Sequence, residues 1–463
     1  VAERIYGDQN FRFDTSSEAV FVTQVGADGE SGASVSNPVP ISLGDSASVD
    51  AFNRLRVSQA FTLFDSQQEY GFDTLRIWDA TANGTLSYST GASDGSVTSG
   101  SNAVGPRDAN TRMTPITCSS TDTHYSILQS RQYFRYIPGK SHLVLMTGIF
   151  ATGANATASF VRRTSTSGSI VDNDVPQASW NIDKFDGTGV SGLTIDFTKT
   201  QIMFISAQWL GVGRVVVGFD IDGLLYPAHA FNHANLIAVP YTQTFNLPVR
   251  YEVKTVGSTT EARVGYFDHA NGIFLKTVRA VAGGTIQFVC CSVQSEGGEE
   301  QRGFPQARSN GITTITVTTR RPILSLRPKA TYNSLTNRAH IDLAEIALTA
   351  QTNASYWELV IGGTLTAGGG AATWVSNGTN SVAEYNINAD AITGGVTIYA
   401  GYVMAGSGST KGSALGDLDL RGPLTLSQIN ALTATQPNVS LVCTSFSGNS
   451  ILSGMLHWHE QVI

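Results

Sequence analysis

Charged side chains are scarce in this sequence: Asp, Glu, Lys and Arg make up 14% of its 463 residues, against about 25% in an average soluble protein. The net charge is -7 and no basic tract occurs, which excludes the clustered Lys and Arg of a nucleic-acid-binding surface. Cysteine is scarcer still. Four in the whole chain cannot build the disulfide framework of a small secreted domain, and no CxxC or Cys/His spacing suggests zinc. Cys290 and Cys291, adjacent in the strand-like "TIQFVCCSV", read as reduced, packed thiols. Long hydrophobic runs are missing too: "SHLVLMTGIF" and "TQIMFISAQWL" stop short of the ~20 apolar residues that span a bilayer. The opening "VAERIYGDQNFRFD" lacks the charged-then-apolar layout of a secretory signal. A soluble, non-secreted chain without membrane insertion is expected.

What the chain has in quantity is glycine, 47 residues, together with Ser, Thr and Asn. Small hydroxyl and amide side chains compete with the helix backbone for hydrogen bonds, so this composition favours strands and turns. Residues 1–50 carry short alternating pieces such as "EAVFVTQV" between polar tracts and read as an extended arm. From "VDAFNRLRVS" onward, short β-type runs alternate with turn signals. Pro138-Gly139 separates two apolar runs in "RQYFRYIPGKSHLVLMTGIF", and Asn271-Gly272 reads as a hairpin turn in "ARVGYFDHANGIFLKTV". This first body is expected over 51–325, a linker over 326–338 ("RPKATYNSLTNR"), and a second body over 339–463. "TLSQINALTAT" is the one helix-like segment. The expected fold class is all-β, with two β-sandwich domains of jelly-roll, lectin-like type behind an extended N-terminal arm.

The segment "SAQWLGVGRVVVGFDIDGLLY" contains fragments of two motifs. A dinucleotide fingerprint needs G-x-G-x-x-G opening a helix. Here Gly211 and Gly213 are followed by Gly218 and a β-branched run, so the phosphate reading fails. An EF-hand needs D-x-[DN]-x-[DN]-G and a later Glu, and only Asp220 and Asp222 precede Gly223. The segment fits a hairpin instead: "VVVGFDI", a type I′ turn at Asp222-Gly223, then "LLYPAHAF". Alternation puts Val215, Val217 and Phe219 on one face and Arg214, Val216 and Asp220 on the other, and Trp209, Val215, Val217 and Phe219 are expected in the core. A Trp-bearing strand followed by a strand ending in "DG" resembles the jelly rolls of concanavalin-class lectins and laminarinases. The E-x-D-x-x-E run of that class's glucanases, which supplies the two carboxylates of glycoside hydrolysis, is absent, so the resemblance extends to the fold alone.

Two residue pairs are candidates for metal. Asp183 and Asp186 precede Gly187 in "WNIDKFDGTGVSG", an oxygen-rich loop of the kind that holds calcium; aspartate before glycine also serves as a plain turn. His457 and His459 in "MLHWHEQ" share one face of a strand, with Trp458 and Glu460 on the other, but a third ligand must come from elsewhere. These two and the pair His229 and His233 read as ordinary surface or interface histidines. No metal, cofactor or catalytic residue is assigned: G-x-S-x-G, P-loop and HExxH motifs are all missing. Trp78, Tyr133, Tyr136, Trp180, Trp209, Trp357 and Trp374 could stack on sugars, although Trp in a strand is more often core. Sequons such as Asn83-Gly84-Thr85 carry no weight without a secretory signal.

Several unbroken stretches resemble a group of large virion structural proteins of tailed bacteriophages, marine and cyanobacterial ones especially. They are "FNRLRVS", "RQYFRYIPGKSHLVLMTG", "SWNIDKFDGTGVSGLTIDFTKTQI", "QWLGVGRVVVGFDIDG", "NLPVRYEV" and "SVQSEGG", with "EYNINADAITGGVTIYAGYV" and "LVCTSFSG" towards the C-terminus. The resemblance implies a non-enzymatic component exposed on the virion and assembled in the host cytoplasm, as a tail fibre or receptor-binding protein or as a head fibre or decoration protein, the tail or fibre being favoured. Implied partners are other virion proteins through residues 1–50, further copies of the chain, with a trimer favoured, and a host surface glycan. Val1 is compatible with removal of an initiator Met or with proteolysis. The alternative is a polysaccharide depolymerase or a carbohydrate-binding module on a lectin-like fold.

Overall fold

The computed structural model describes residues 60–67, 104–105, 107–122, 124–130, 133–297, 303–311, 315–334, 337, 339–406 and 438–461, and the backbone of 12–13, 20–21, 75–81, 85–88, 97–99, 102–103, 335–336, 412–417 and 425–427. Apart from one 3-10 turn at Gln177–Ser179, the described elements are strands, and their pairings are antiparallel. The all-β class therefore holds. Of the N-terminal arm only the pairing of Arg12–Phe13 with Val20–Phe21 is described; its expected contacts lie outside the described residues. The helix-like "TLSQINALTAT" contributes a short strand, Thr425–Ser427, and its remainder is likewise outside.

Two sheets enclose the first core. One runs Leu224–Phe231, Val215–Ile221, Gln201–Ala207, His142–Ile149, Gly284–Ser295 and Thr114–Cys118, and the other runs Val171–Pro176, Thr157–Thr164, Gly272–Arg279, Thr259–Phe267, Val249–Val256, Tyr125–Ser130 and Leu75–Thr81. Period-2 alternation delivers one face of each strand to the interior. Val215, Val217 and Phe219 are fully buried, and Phe219 is the hub of an aromatic group, 5.5 Å from Phe185, 5.8 Å from Phe197 and 6.0 Å from Phe160 between ring centroids. Trp209 is partly buried against the same core.

The Asp222-Gly223 hairpin forms as expected. Ile221 faces Leu224 in register, and φ is 56° at Asp222 and 83° at Gly223, both positive as a type I′ turn requires. Asp220 Oδ1 accepts a hydrogen bond from the Gly223 amide at 2.9 Å. Gly218 sits at a register shift opposite Pro227, where a Cβ would meet the Tyr226 carbonyl at 2.2 Å; the position tolerates only glycine.

Two other turns differ from the sequence reading. Pro138-Gly139 does make a tight turn, closed by the Lys140 amide on the Ile137 carbonyl at 3.0 Å, but the chain uses it to pass between sheets: Tyr125–Ser130 belongs to one and His142–Ile149 to the other. Around Asn271-Gly272 the reversal is a four-residue loop, Asp268 to Asn271, because Asp268 Oδ1 accepts the Ala270 and Asn271 amides, both at 2.7 Å. An Asp at the loop start competes well for backbone amides.

The boundary between bodies also needs correction. Phe304–Ser309 and Ile315–Val317 pair with Ser450–Gln461, and Arg321–Pro328 pairs with Val439–Ser445 and Ala383–Asn386. Val317, Ile323, Leu324 and Leu326 lie in the second core with Trp357, Leu441 and Trp458. The segment expected as a linker is thus ordered within the second body; Asn337 Nδ2 donates to the carbonyls of Lys329 and Val382. Prolines suggested a break, yet Pro322 stands at a register shift and Pro328 ends its strand, where a missing amide is harmless. A small sheet of Thr364–Ala367, Gly370–Ala371 and Ala391–Thr393 adds a separate apolar cluster with Val360 and Val442.

All four cysteines are unpaired, and Cys118, Cys291 and Cys443 are buried. Four histidines are buried as well, His142, His229, His233 and His340, which corrects the surface reading of His229 and His233. Desolvation lowers their pKa from 6.5 to about 4 for the first three and about 3 for His340. Unfolding returns them to the ordinary value and binds protons, so stability is full above pH ~6.5 and falls as the pH drops through the folded values. Urea midpoints are therefore expected to be flat above neutrality and to decline steadily between pH 6.5 and 4; a flat profile across that interval would contradict neutral buried imidazoles.

Candidate functional site

The four metal candidates have other employment. Asp183 is buried, with Oδ1 accepting the Phe185 amide at 2.9 Å and Oδ2 the Ser191 amide at 2.6 Å. Asp186 Oδ1 accepts the amide and hydroxyl of Thr188. Both carboxyls are held below the usual range; for Asp183 burial opposes the shift and the amides of Phe185 and Ser191 outweigh it, and for Asp186 the Thr188 hydroxyl and amide lead. They shape the loop that lays Phe185 and Phe197 onto the core. His457 and His459 lie on the partly exposed face of Ser450–Gln461, ring centroids 5.6 Å apart. His457 Nδ1 is 3.8 Å from Glu345 Oε2, and His459 stands opposite Asp342, which receives the Gln461 amide. No group of three or more His, Cys, Asp or Glu suited to a metal occurs among the described residues. Trp458 and Glu460 face inward, joined by a hydrogen bond of 3.0 Å.

The second sheet of the first body carries a ladder of charge on the side away from the core. Arg250 bonds Glu252 at 2.5 Å, Arg263 reaches Glu252 at 3.4 Å and Glu261 at 2.7 Å, and Arg163 bonds Asp172 at 2.7 Å. The guanidiniums of Arg163 and Arg263 lie over the Phe274 ring and that of Arg250 over Phe267. Burial would raise the pKa of Glu252, but the surrounding guanidiniums of Arg250, Arg263 and Arg163 win and hold it at about 2. It stays ionised at neutral pH and cannot donate the proton that glycoside cleavage needs. The described carboxyls whose pKa departs from the ordinary value, Asp108, Asp172, Asp183, Asp186, Asp196 and Glu252, are all held below it.

A surface suited to binding lies on the second body. Val396–Val403 is the last strand of its sheet and pairs only with Ser355–Ile361 among the described strands. Tyr402 faces Tyr356 in register, and their rings are 5.8 Å apart. Phe446 extends the row at 5.6 Å from Tyr402. Tyr402 is 67% exposed and Phe446 59%, which is unusual for neighbouring large rings unless they meet a partner. The row is pinned at one end by the Phe446 amide on the Ala354 carbonyl at 3.1 Å. Beside it Thr352 Oγ1 and Asn353 Nδ2 both donate to the Asn449 carbonyl, leaving an amide- and hydroxyl-rich rim. Glu358, on the same strand as Tyr356, is tied to Arg320 and Thr397.

The aromatics singled out from sequence are elsewhere. Tyr133, Tyr136, Trp180 and Trp357 are buried, and Trp209 and Trp374 pack against apolar clusters. The Trp78 side chain lies outside the described residues. Tyr402 in "VTIYAGYVMAG" and Phe446 in "LVCTSFSG" were not singled out from sequence, because aromatics in apolar strand-like runs are more often core; Gly401, beside Tyr402, packs on the Trp357 indole, where a Cβ would come within 2.9 Å.

The two roles of Asp183 separate experimentally. Asp183→Ala is expected to cost ~1–3 kcal/mol through two stranded buried amides, and EDTA to leave the melting temperature of the parent protein unchanged. A calcium-dependent rise in melting that Asp183→Ala abolishes would restore the metal reading.

No protein-family model matches the chain, and no curated protein matches it. Among solved structures it is similar to a lectin from Bauhinia forficata in complex with GalNAc, at 10% identity over 51% of this chain and 98% of the lectin, TM-score 0.15. It is also similar to the CBM2 module of the evolved Dit of Lactobacillus casei BL23 phage J-1, at 10% identity over 52% of this chain and 99% of the module, TM-score 0.18. The infectious bursal disease virus Gx strain structure aligns at 9% identity over 88% of this chain and 82% of its own, TM-score 0.08. Scores at this level carry no argument about function.

Proposed function

We propose that this chain is a non-enzymatic structural component exposed on a tailed-phage particle, anchored through residues 1–50, and that it meets the host surface by binding glycan. The observation that carries the binding reading is the pair of exposed rings Tyr402 and Phe446, continued by the half-buried Tyr356, with its Thr352, Asn353 and Asn449 rim. Sugar rings present apolar C–H faces that stack on aromatic rings, and neighbouring amides and carbonyls take up their hydroxyls. The particle placement rests on the stretches quoted above that resemble virion proteins. Against catalysis stands the state of the carboxyls: those with shifted pKa are ionised and engaged.

A lone carbohydrate-binding module is the second reading, and the same aromatic row favours it. Light scattering distinguishes the two, since a stable trimer is expected of the particle protein and a monomer of the module. Tyr402→Ala, at an exposed position, is expected to leave melting within about 0.5 kcal/mol of the parent while weakening retention on host-cell polysaccharide roughly tenfold, the loss of one good stacking contact. Equal retention by the variant would remove the row from the account, and release of new reducing ends by the parent protein would replace binding with hydrolysis.

A further inference from the structure

Val396–Val403 is an edge strand without the usual protection. It closes one end of its sheet and pairs only with Ser355–Ile361 among the described strands. An antiparallel ladder turns alternate backbone groups to either side, so about half of this strand's amides and carbonyls point away from the sheet, along about 27 Å of chain. Its sequence, "VTIYAGYV", holds no charge and no proline. Its side chains are open as well: Val396 is 67% exposed, Tyr399 43% and Tyr402 67%. The one irregularity is the extra residue Ile398 at a register shift, and the run from Tyr399 to Val403 is regular.

Other edges of the molecule are guarded. Leu224–Phe231 contains Pro227, and Asn181 covers its outer side, with Nδ2 donating to the Ala230 carbonyl at 2.9 Å and Oδ1 accepting the Ala230 amide at 2.8 Å. Val171–Pro176 carries Asp172 and Asp174 and ends in proline, and Phe304–Ser309 carries Pro305 and Arg308. Charge, proline and a covering segment are the devices that stop one sheet edge from adding to another. Val396–Val403 has none of them.

We infer that a second copy of this chain adds to Val396–Val403, the two edge strands pairing antiparallel about a two-fold axis. An extended row of unpaired amides and carbonyls is satisfied by another such row, and this strand offers the same row to its copy. With no charge on either strand, no like charges meet across the pair. A two-fold contact uses one patch twice and is closed, so it does not propagate into fibres. A strand pair of this length falls in the small class of interfaces, under ~1,200 Å², and the association is therefore reversible. Side chains stand perpendicular to the sheet, so the pairing leaves Tyr402 and Phe446 on its face and does not depend on what they bind.

Light scattering of the full chain between ~1 and ~100 μM tests it. The mass is expected to double over that range. Ala400→Lys, at an exposed position in the regular run, is expected to abolish the doubling and to leave the far-UV circular dichroism unchanged; should it fail to fold, Tyr399→Lys supplies the reading. Hydrogen exchange locates the contact. At the upper concentration all amides of Val396–Val403 are expected to exchange slowly, and at the lower about half, those bonded to Ser355–Ile361. A mass independent of concentration, or a doubling that persists in both variants, overturns the proposal. Slow exchange along the whole strand at both concentrations would assign the edge to another segment of the same chain, and a doubling of mass that leaves exchange unchanged would put the two-fold contact elsewhere; either result overturns it as well.

Discussion

The constraint that governs this molecule is that every strand of a packed pair of sheets must give one face to the interior. With a period of two, one choice of register decides the fate of every side chain on the strand. Val215, Val217 and Phe219 go to the core, and Val216 goes to a small apolar cluster on the opposite face with Phe204 and Leu143. The same rule explains the low charge of the chain. Much of its surface is strand, and where the outward face is itself crowded, as around Glu252, each charge is matched by a partner two residues along its own strand or, for Arg263 and Glu252, across to the next.

Local chemistry was legible in the sequence and partner choice was not. The hairpin at Asp222-Gly223 could be read because a β-branched run, an Asp-Gly turn and the return strand are contiguous. The strands between 304 and 328 could be recognised as strands, yet nothing in "ITTITVTTRRPILSL" says that their partners lie more than a hundred residues later, at Val439–Ser445 and Ser450–Gln461. The aromatic row was invisible for a related reason. Tyr402 is exposed because Val396–Val403 is the last strand of its sheet, and edge position is a property of the whole fold. His233 and Tyr241 stack at 3.9 Å because each is fastened to the "LGVG" loop, at the Gly213 and Gly211 carbonyls, a tie that no local pattern announces.

The row on the second body is open, rigid through its strand and poor in ionisable groups, which suits reversible contact with a large, weakly charged partner. Glu358 on the neighbouring strand is tied to Arg320 and Thr397, and adhesion is the activity we propose for this surface.

The most direct test of that assignment is saturation-transfer NMR with oligosaccharides released from the host surface. The account predicts transfer to sugar ring protons from the intact protein, lost in Tyr402→Ala and unaccompanied by any change in the oligosaccharide over time. Transfer that persists in the variant, or an oligosaccharide spectrum that shortens to product during the measurement, would contradict it.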